Sequence, residues 1–129
     1  MQYRVSEKIN NFKSKRPNMK DIITFNDFIK LDIRIGEVTN AKNIAESNKL
    51  LELTVDFGEE IGIRTILAGM QKWYQPTDFV NKKFMFLVNL EPKQMAGSES
   101  QGMLLAADIE GKPKLIEAPD DLPNGSTIR

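Results

Sequence analysis

The residues most able to do chemistry lie at 97–107, GSESQGMLLAA, where a polar stretch with a single charge passes through Gly-Met into an uncharged apolar run. A turn uses Gly and Ser because they accept unusual backbone angles and bond their own main chain. It does not need Ser98, Glu99, Ser100 and Gln101 in succession. Four polar side chains in a row point to hydrogen bonding beyond the turn itself.

A second group is Asp56, Glu59 and Glu60 in DFGEEIG, carboxylates of the kind that hold Mg²⁺. Adjacent carboxylates in a hairpin loop are ordinarily solvated, and no nucleophile paired with a base accompanies them. The chain has no cysteine and no histidine. That removes disulfides, thiolate and imidazole zinc sites, cysteine nucleophiles and the commonest general base. The expectation is a binding protein and not an enzyme, with no cofactor and no metal.

These groups must be positioned by a chain of 129 residues, 40% hydrophobic and 28% charged, enough for one compact domain with an extension. No apolar stretch reaches the roughly 18 residues of a membrane span, and the N-terminus scatters its apolar residues among charges, unlike a secretory signal. A cytoplasmic protein with no membrane partner is expected. Formal charge is zero, but residues 1–20 carry Arg4, Lys8, Lys13, Lys15, Arg16 and Lys20 against Glu7 alone. The chain thus divides into a basic arm over 1–20 and a mildly acidic domain over 21–129. The arm suits an anionic partner or a solvated tail. Val5, Ile9 and Phe12 in it are spaced as in a short amphipathic helix, stopped by Pro17.

In TFNDFIK, Thr24 and Asp27 have the spacing of a helix cap, and Phe25, Phe28 and Ile29 form one apolar face, so a turn or two of helix should precede the first strand and plug the fold. From Leu31 the period becomes two. LDIRIGEV and LELTVDF alternate as half-buried strands, and GIRTIL is a third, joined to the second by a hairpin around Gly58, Glu59, Glu60 and Gly62. KWYQPTDFVNKK breaks the pattern with Pro76 near a helix start. KFMFLVNL and GMLLAADI are continuous apolar strands, and the tail has room for one or two short strands. The expected fold is all-β: a five-stranded OB-fold Greek-key barrel, with a short helix before the first strand and another between the third and fourth, plus N-terminal and C-terminal extensions.

From about Ile22 to Arg129 the sequence resembles the tRNA-binding domain of the methionyl-tRNA synthetase C-terminal or beta-subunit type. The features that carry the resemblance occur in order: FIKLDIRIGEV, NKLLELTVDFG, RTILAG, VNLEPKQMAGSESQGMLLAA and LPNGSTIR. Each is weak alone and together they are specific. The resemblance implies an OB-fold whose sheet face and flanking loops hold tRNA by shape and backbone with little reading of bases. It also implies a homodimer, and a methionyl-tRNA synthetase catalytic subunit as partner. With no histidine for the class I synthetase signature and no length for a catalytic domain, the chain reads as a separate beta subunit or a stand-alone tRNA-binding protein.

On that resemblance GSESQGM is the loop before the fifth strand, bordering the oligonucleotide face. Ser98, Ser100 and Gln101 can bond phosphates, 2′-hydroxyls or base edges. Gly102 lets backbone approach, and Met103 packs on a base or sugar. The remaining candidates for tRNA binding are Arg34 on the first strand, Lys42 at its end, Asn48 and Lys49 opening the second, Arg64 on the third, Lys82 and Lys83 before the fourth, and Lys93 before the loop. Arg34, Lys49 and Arg64 lead, because the pleat places a charge on an alternating strand. Trp73, Tyr74, Phe57, Phe84 and Phe86 are read mainly as core.

The sequence departs from the family at Ala45 and Glu46, where relatives commonly carry Pro-Asn, and at Glu91 and Gln94, where many carry basic residues. Weaker binding by the body gives the basic arm a compensating role. The rival expectation is a chaperone-like, peptide-binding module of the same fold, which DFGEEIG somewhat resembles.

Overall fold

The computed structural model describes residues 19–129. The amphipathic helix expected at Val5, Ile9 and Phe12 lies outside the described residues, as does nearly all of the basic arm.

A single helical turn, α1 (Phe25–Phe28), opens the described chain. Its capping box forms as expected: Asp27 N donates to Thr24 Oγ1 at 3.1 Å and Thr24 N to Asp27 Oδ2 at 3.4 Å. Its role differs from the expectation. None of its residues is buried, and Ile22 (94% exposed), Phe25 (73%) and Ile29 (57%) face away from the core. Among the described residues the turn plugs nothing. Asn89 fastens its end to the barrel, accepting from Asp32 N at 2.9 Å and donating to Lys30 O at 2.6 Å.

The long strand β1 (Ile33–Asn43) organises the barrel. Its second half pairs with β2 (Leu51–Asp56), which pairs in turn with β3 (Ile63–Ala68), all antiparallel. Its first half pairs with β4 (Lys83–Leu87), from Ile33 opposite Leu87 to Glu37 opposite Lys83. Serving two partners requires β1 to coil. Gly36 permits it, since a Cβ there would meet Val55 Cγ1 at 2.5 Å and Phe57 Cε1 at 2.6 Å. The register slips between Val38 and Asn40, as a bulge that sharpens the bend.

The expected helix between the third and fourth strands is a single 3-10 turn, Pro76–Asp78. Pro76 presets its first backbone angle, and the apolar residue after it, Phe79, is fully buried and ends the turn. After β4, β5 (Lys93–Met95) and β6 (Ser98–Ser100) form a hairpin of their own. Ala96 and Gly97 at its tip have φ of 49° and 80°, the left-handed pair of a tight hairpin turn. The run GMLLAADI is not one strand. Only β7 (Met103–Leu104) joins the barrel, on β4, and the chain then turns into a separate hairpin of β8 (Ala107–Ile109) and β9 (Lys112–Lys114). β10 (Thr127–Ile128) returns to β1 beside Ile33 and Arg34. The sheet order β3-β2-β1-β4-β7 is that of the expected five-stranded OB-fold barrel, closed between its outer strands by individual bonds and not by a continuous ladder.

The core is the inward face of these strands. Leu51, Leu53 and Val55 are fully buried between half-buried neighbours, so LELTVDF alternates as the sequence predicts. Phe57, Phe79, Phe84 and Phe86 fill the centre, with Phe57 edge-on to Phe86 at 5.3 Å. Burying each such ring contributes roughly 1.5–3 kcal/mol.

Candidate nucleic-acid interface

The hairpin of β5 and β6 organises one face of the barrel, and three depressions surround it. The first, about 250 Å³, is lined by Leu67, Lys93, Met95, Ser100, Gly102 and Met103, among others. The second, about 510 Å³, shares Met95 and contains Lys49, Lys72 and Trp73. The third, about 300 Å³, holds Lys42 and Ser98 together with Glu46 and Glu52. Seven of the residues named from sequence, Lys42, Lys49, Lys93, Ser98, Ser100, Gly102 and Met103, thus gather around one hairpin. Asn48 is exposed in the loop before β2 beside Lys49.

Within this set the local bonding differs. Ser100 is buried: its hydroxyl accepts from Leu67 N at 3.0 Å and donates to Gly102 O at 2.9 Å. Gln101 is half-buried, and its Oε1 accepts from Thr65 N at 3.0 Å while its own N donates to Thr65 O at 2.8 Å. Both residues close the barrel between β3 and the last strand. Gly102 has φ of 150°, and a Cβ there would stand 2.9 Å from Leu87 O. This seam is therefore built around a glycine. Ser98 donates to Glu52 Oε1 at 3.2 Å, and Lys42 Nζ lies 3.7 Å from Glu52 Oε2. One carboxylate occupies both residues. Met103, by contrast, is exposed beside the seam.

The two arginines that led the sequence reading are held by the fold. Arg34, with 14% of its side chain exposed, donates from Nε to Asp32 Oδ1 at 2.6 Å, and from Nη1 to Glu60 Oε1 at 3.0 Å and Gly125 O at 3.2 Å. The hydrogen bond to Asp32, reinforced by the one to Glu60, raises its pKa above the ordinary arginine value. The guanidinium ties the start of β1 to the β2–β3 hairpin and to the C-terminal segment. Arg64 Nη1 donates to Val88 O at 2.6 Å and Gln101 O at 3.2 Å, bracing the same seam from β3. Lys83 Nζ bonds the carbonyls of Asp120 and Leu122, at 3.0 and 2.7 Å. Lys82 is half-buried just before β4, away from the hairpin depressions. Among the carboxylates named from sequence, Asp56 Oδ1 accepts from Gly58 N at 2.8 Å and Glu60 pairs with Arg34.

The cations left exposed around the hairpin with no ion pair among the described residues are Lys49, Lys72 and Lys93. Sequence reasoning missed Lys72 and took its neighbour Trp73 for core. Trp73 is exposed, whereas Tyr74, Phe57, Phe84 and Phe86 pack inward as expected. The signal lay in the adjacent Lys-Trp pair in a segment without strand alternation.

Comparison with known proteins agrees with the fold. Residues 33–127 match the family model described as "Putative tRNA binding domain". The chain is 42% identical over 109 residues to a methionine–tRNA ligase of Deinococcus radiodurans, covering 84% of this chain but only 16% of that relative. It therefore spans a small part of the curated relative's length. Among solved structures, a MetRS-related protein from Pyrococcus horikoshii superimposes with a TM-score of 0.81 at 39% identity, covering 85% of this chain and all of that one. The chaperone CsaA from Bacillus anthracis superimposes with a TM-score of 0.74 at 34% identity, covering 84% of this chain and all of that one. With a family model matching residues 33–127 and an OB-fold barrel shared with a MetRS-related protein, the chain belongs to the tRNA-binding domain family.

Proposed function

We propose that this domain holds folded tRNA by shape and backbone contacts, on the face organised by the β5–β6 hairpin. The observation that carries the reading is the sorting of the cations. Arg34, Arg64 and Lys83 bond within the fold, while Lys49, Lys72 and Lys93 are exposed around one hairpin. Flexible ammonium groups neutralise phosphates and position an RNA without identifying its bases. The domain acts as a binding module and not as an enzyme, and in a cytoplasmic setting it supplies tRNA affinity to aminoacylation. The methionine–tRNA ligase among its relatives makes a synthetase catalytic subunit the natural partner.

A second copy of the chain is the occupant proposed for the exposed apolar segment around α1. Ile22, Ile23, Phe25, Ile29 and Leu31 are all exposed there, on a turn whose cap and anchor hold it in one shape. Such a segment is suited to self-association. The likeness to a chaperone and this same apolar segment favour peptide binding as the second reading.

Anisotropy of labelled bulk tRNA, with competition by unlabelled tRNA, a length-matched single strand and an unfolded peptide, separates the two readings. Strongest competition by tRNA supports the tRNA module. Salt-insensitive binding of the peptide, with no tRNA bound, supports the chaperone.

A further inference from the structure

We infer that the depression beside Trp73 receives one unpaired nucleotide of the bound RNA, its base stacked on the indole and its phosphate between Lys49 and Lys72. The inference rests on the tRNA-binding reading and names a subsite within it.

Trp73 is 40% exposed, yet its backbone is firmly held. Trp73 N and Tyr74 N both donate to Met70 O, at 3.0 and 2.9 Å. Tyr74 anchors the segment from below: its ring packs edge-on to Phe79 at 5.9 Å, and its hydroxyl donates to Pro113 O at 3.1 Å and accepts from Leu115 N at 3.3 Å. The facing wall is fastened to the same turn. Gln71 N donates to Lys49 O at 3.0 Å, and Gln71 Nε2 donates to Leu50 O at 2.8 Å and Ser47 O at 3.2 Å. Indole and lysine loop are thus joined before any ligand arrives. That is the preorganisation a binding site needs to limit its ordering cost.

The shape and lining select the ligand. At about 510 Å³, the depression falls in the roughly 300–1,000 Å³ range of small-ligand pockets. Leu50, Met95 and the indole give it apolar walls suited to a flat ring, and Lys49 and Lys72 supply two cations. None of its lining residues is a carboxylate, whereas Glu46 and Glu52 line the depression at Lys42, Glu91 that at Lys93, and Asp108 the one on the other side of Trp73. A planar aromatic ligand carrying an anion is directed to this one. Lys72 Nζ now lies 5.5 Å from the centre of the Trp73 ring. An exposed cation–π contact is weak, so a base can take the lysine's place on the indole while the ammonium moves to the phosphate. Bases within a duplex are stacked and paired and cannot enter, which makes an unpaired position of a folded RNA the ligand.

Trp73 is the only tryptophan of the chain, so its fluorescence reports its own surroundings, and Trp73 lines only this depression and the one at Asp108 among those described. Bulk tRNA and an unpaired RNA tetranucleotide are titrated in parallel with a blunt, fully paired RNA duplex, while anisotropy of labelled tRNA follows binding independently. The expected result is a change in Trp73 emission with tRNA and tetranucleotide and none with the duplex. Trp73→Ala should weaken tRNA binding about five- to a hundred-fold without changing its salt dependence, and Trp73→Phe should restore most of the affinity. If tRNA binds by anisotropy while Trp73 emission stays constant and Trp73→Ala binds as the native chain does, the subsite is wrong and the tRNA reading survives. If anisotropy detects no tRNA binding, both fall together.

Discussion

Gln101 and Thr65 exchange two hydrogen bonds across the barrel seam, Gln101 N to Thr65 O at 2.8 Å and Thr65 N to Gln101 Oε1 at 3.0 Å. A side-chain amide oxygen here does what a strand carbonyl would do. The adjacent Ser100 repeats the arrangement one pair along, through Leu67 N. The polar run that ends in Ser100 and Gln101 therefore completes a barrel whose last strand, β7, is only two residues long.

Removing either side chain strands a strand amide. Ser100→Ala leaves Leu67 N without its partner and is expected to cost roughly 1–3 kcal/mol of stability. Denaturant unfolding measures it through a lower midpoint. Since the hydroxyl is buried within the fold, tRNA affinity measured where the variant remains folded should be unchanged.

Gly102→Ala acts at the same seam by a different route. The φ of 150° and the Leu87 carbonyl at 2.9 Å both oppose a Cβ. Backbone strain alone contributes roughly 1–3 kcal/mol, and the clash adds to it. A loss of stability larger than that of Ser100→Ala, read by the same unfolding measurement, is the expected outcome.

How far these residues were legible in the sequence depends on what each one bonds. Alternation in LELTVDF revealed β2 because a single buried face imposes a period of two on Leu51, Leu53 and Val55. The cap of α1 was legible because Thr24 and Asp27 bond each other locally. Ser100 and Gln101 were recognised as bonding groups, but their partners lie more than 30 residues away on β3. A spacing pattern carries no such information. Arg34 illustrates the same limit: the pleat placed it on a strand, and Asp32 and Glu60 then took its donors. Trp73 sits in a segment with no regular period, where nothing in the pattern distinguishes an inward ring from an outward one. The apolar face of α1 was legible, but the described chain holds nothing to cover it.

The two kinds of cation should part company under mutation. Arg34→Gln breaks the bonds to Asp32, Glu60 and the Gly125 carbonyl, and is expected to lower stability by roughly 1–3 kcal/mol while leaving the salt dependence of tRNA binding as it was. Lys49→Gln and Lys93→Gln should do the reverse, each lowering the log-log salt slope by about 0.7–0.9 with little change in unfolding.

The α1 segment offers a test of self-association. Phe25→Asp places a charge on a side chain that is 73% exposed in the single chain, so folding should be unaffected while a dimer interface would not tolerate it. Sedimentation equilibrium is expected to show a dimer for the native chain and a monomer for the variant. Two chains of equal mass would rule out this segment as the interface.

The most direct test of the account is the dependence of bulk tRNA affinity on salt, measured for the native chain and for the triple variant Lys49→Gln, Lys72→Gln, Lys93→Gln. Three phosphate contacts predict a linear fall of log affinity with log salt whose slope shrinks by roughly 2–3 in the variant, with no loss of fold. An unchanged slope in a folded variant would contradict the account, because tRNA would then be held somewhere other than the hairpin face.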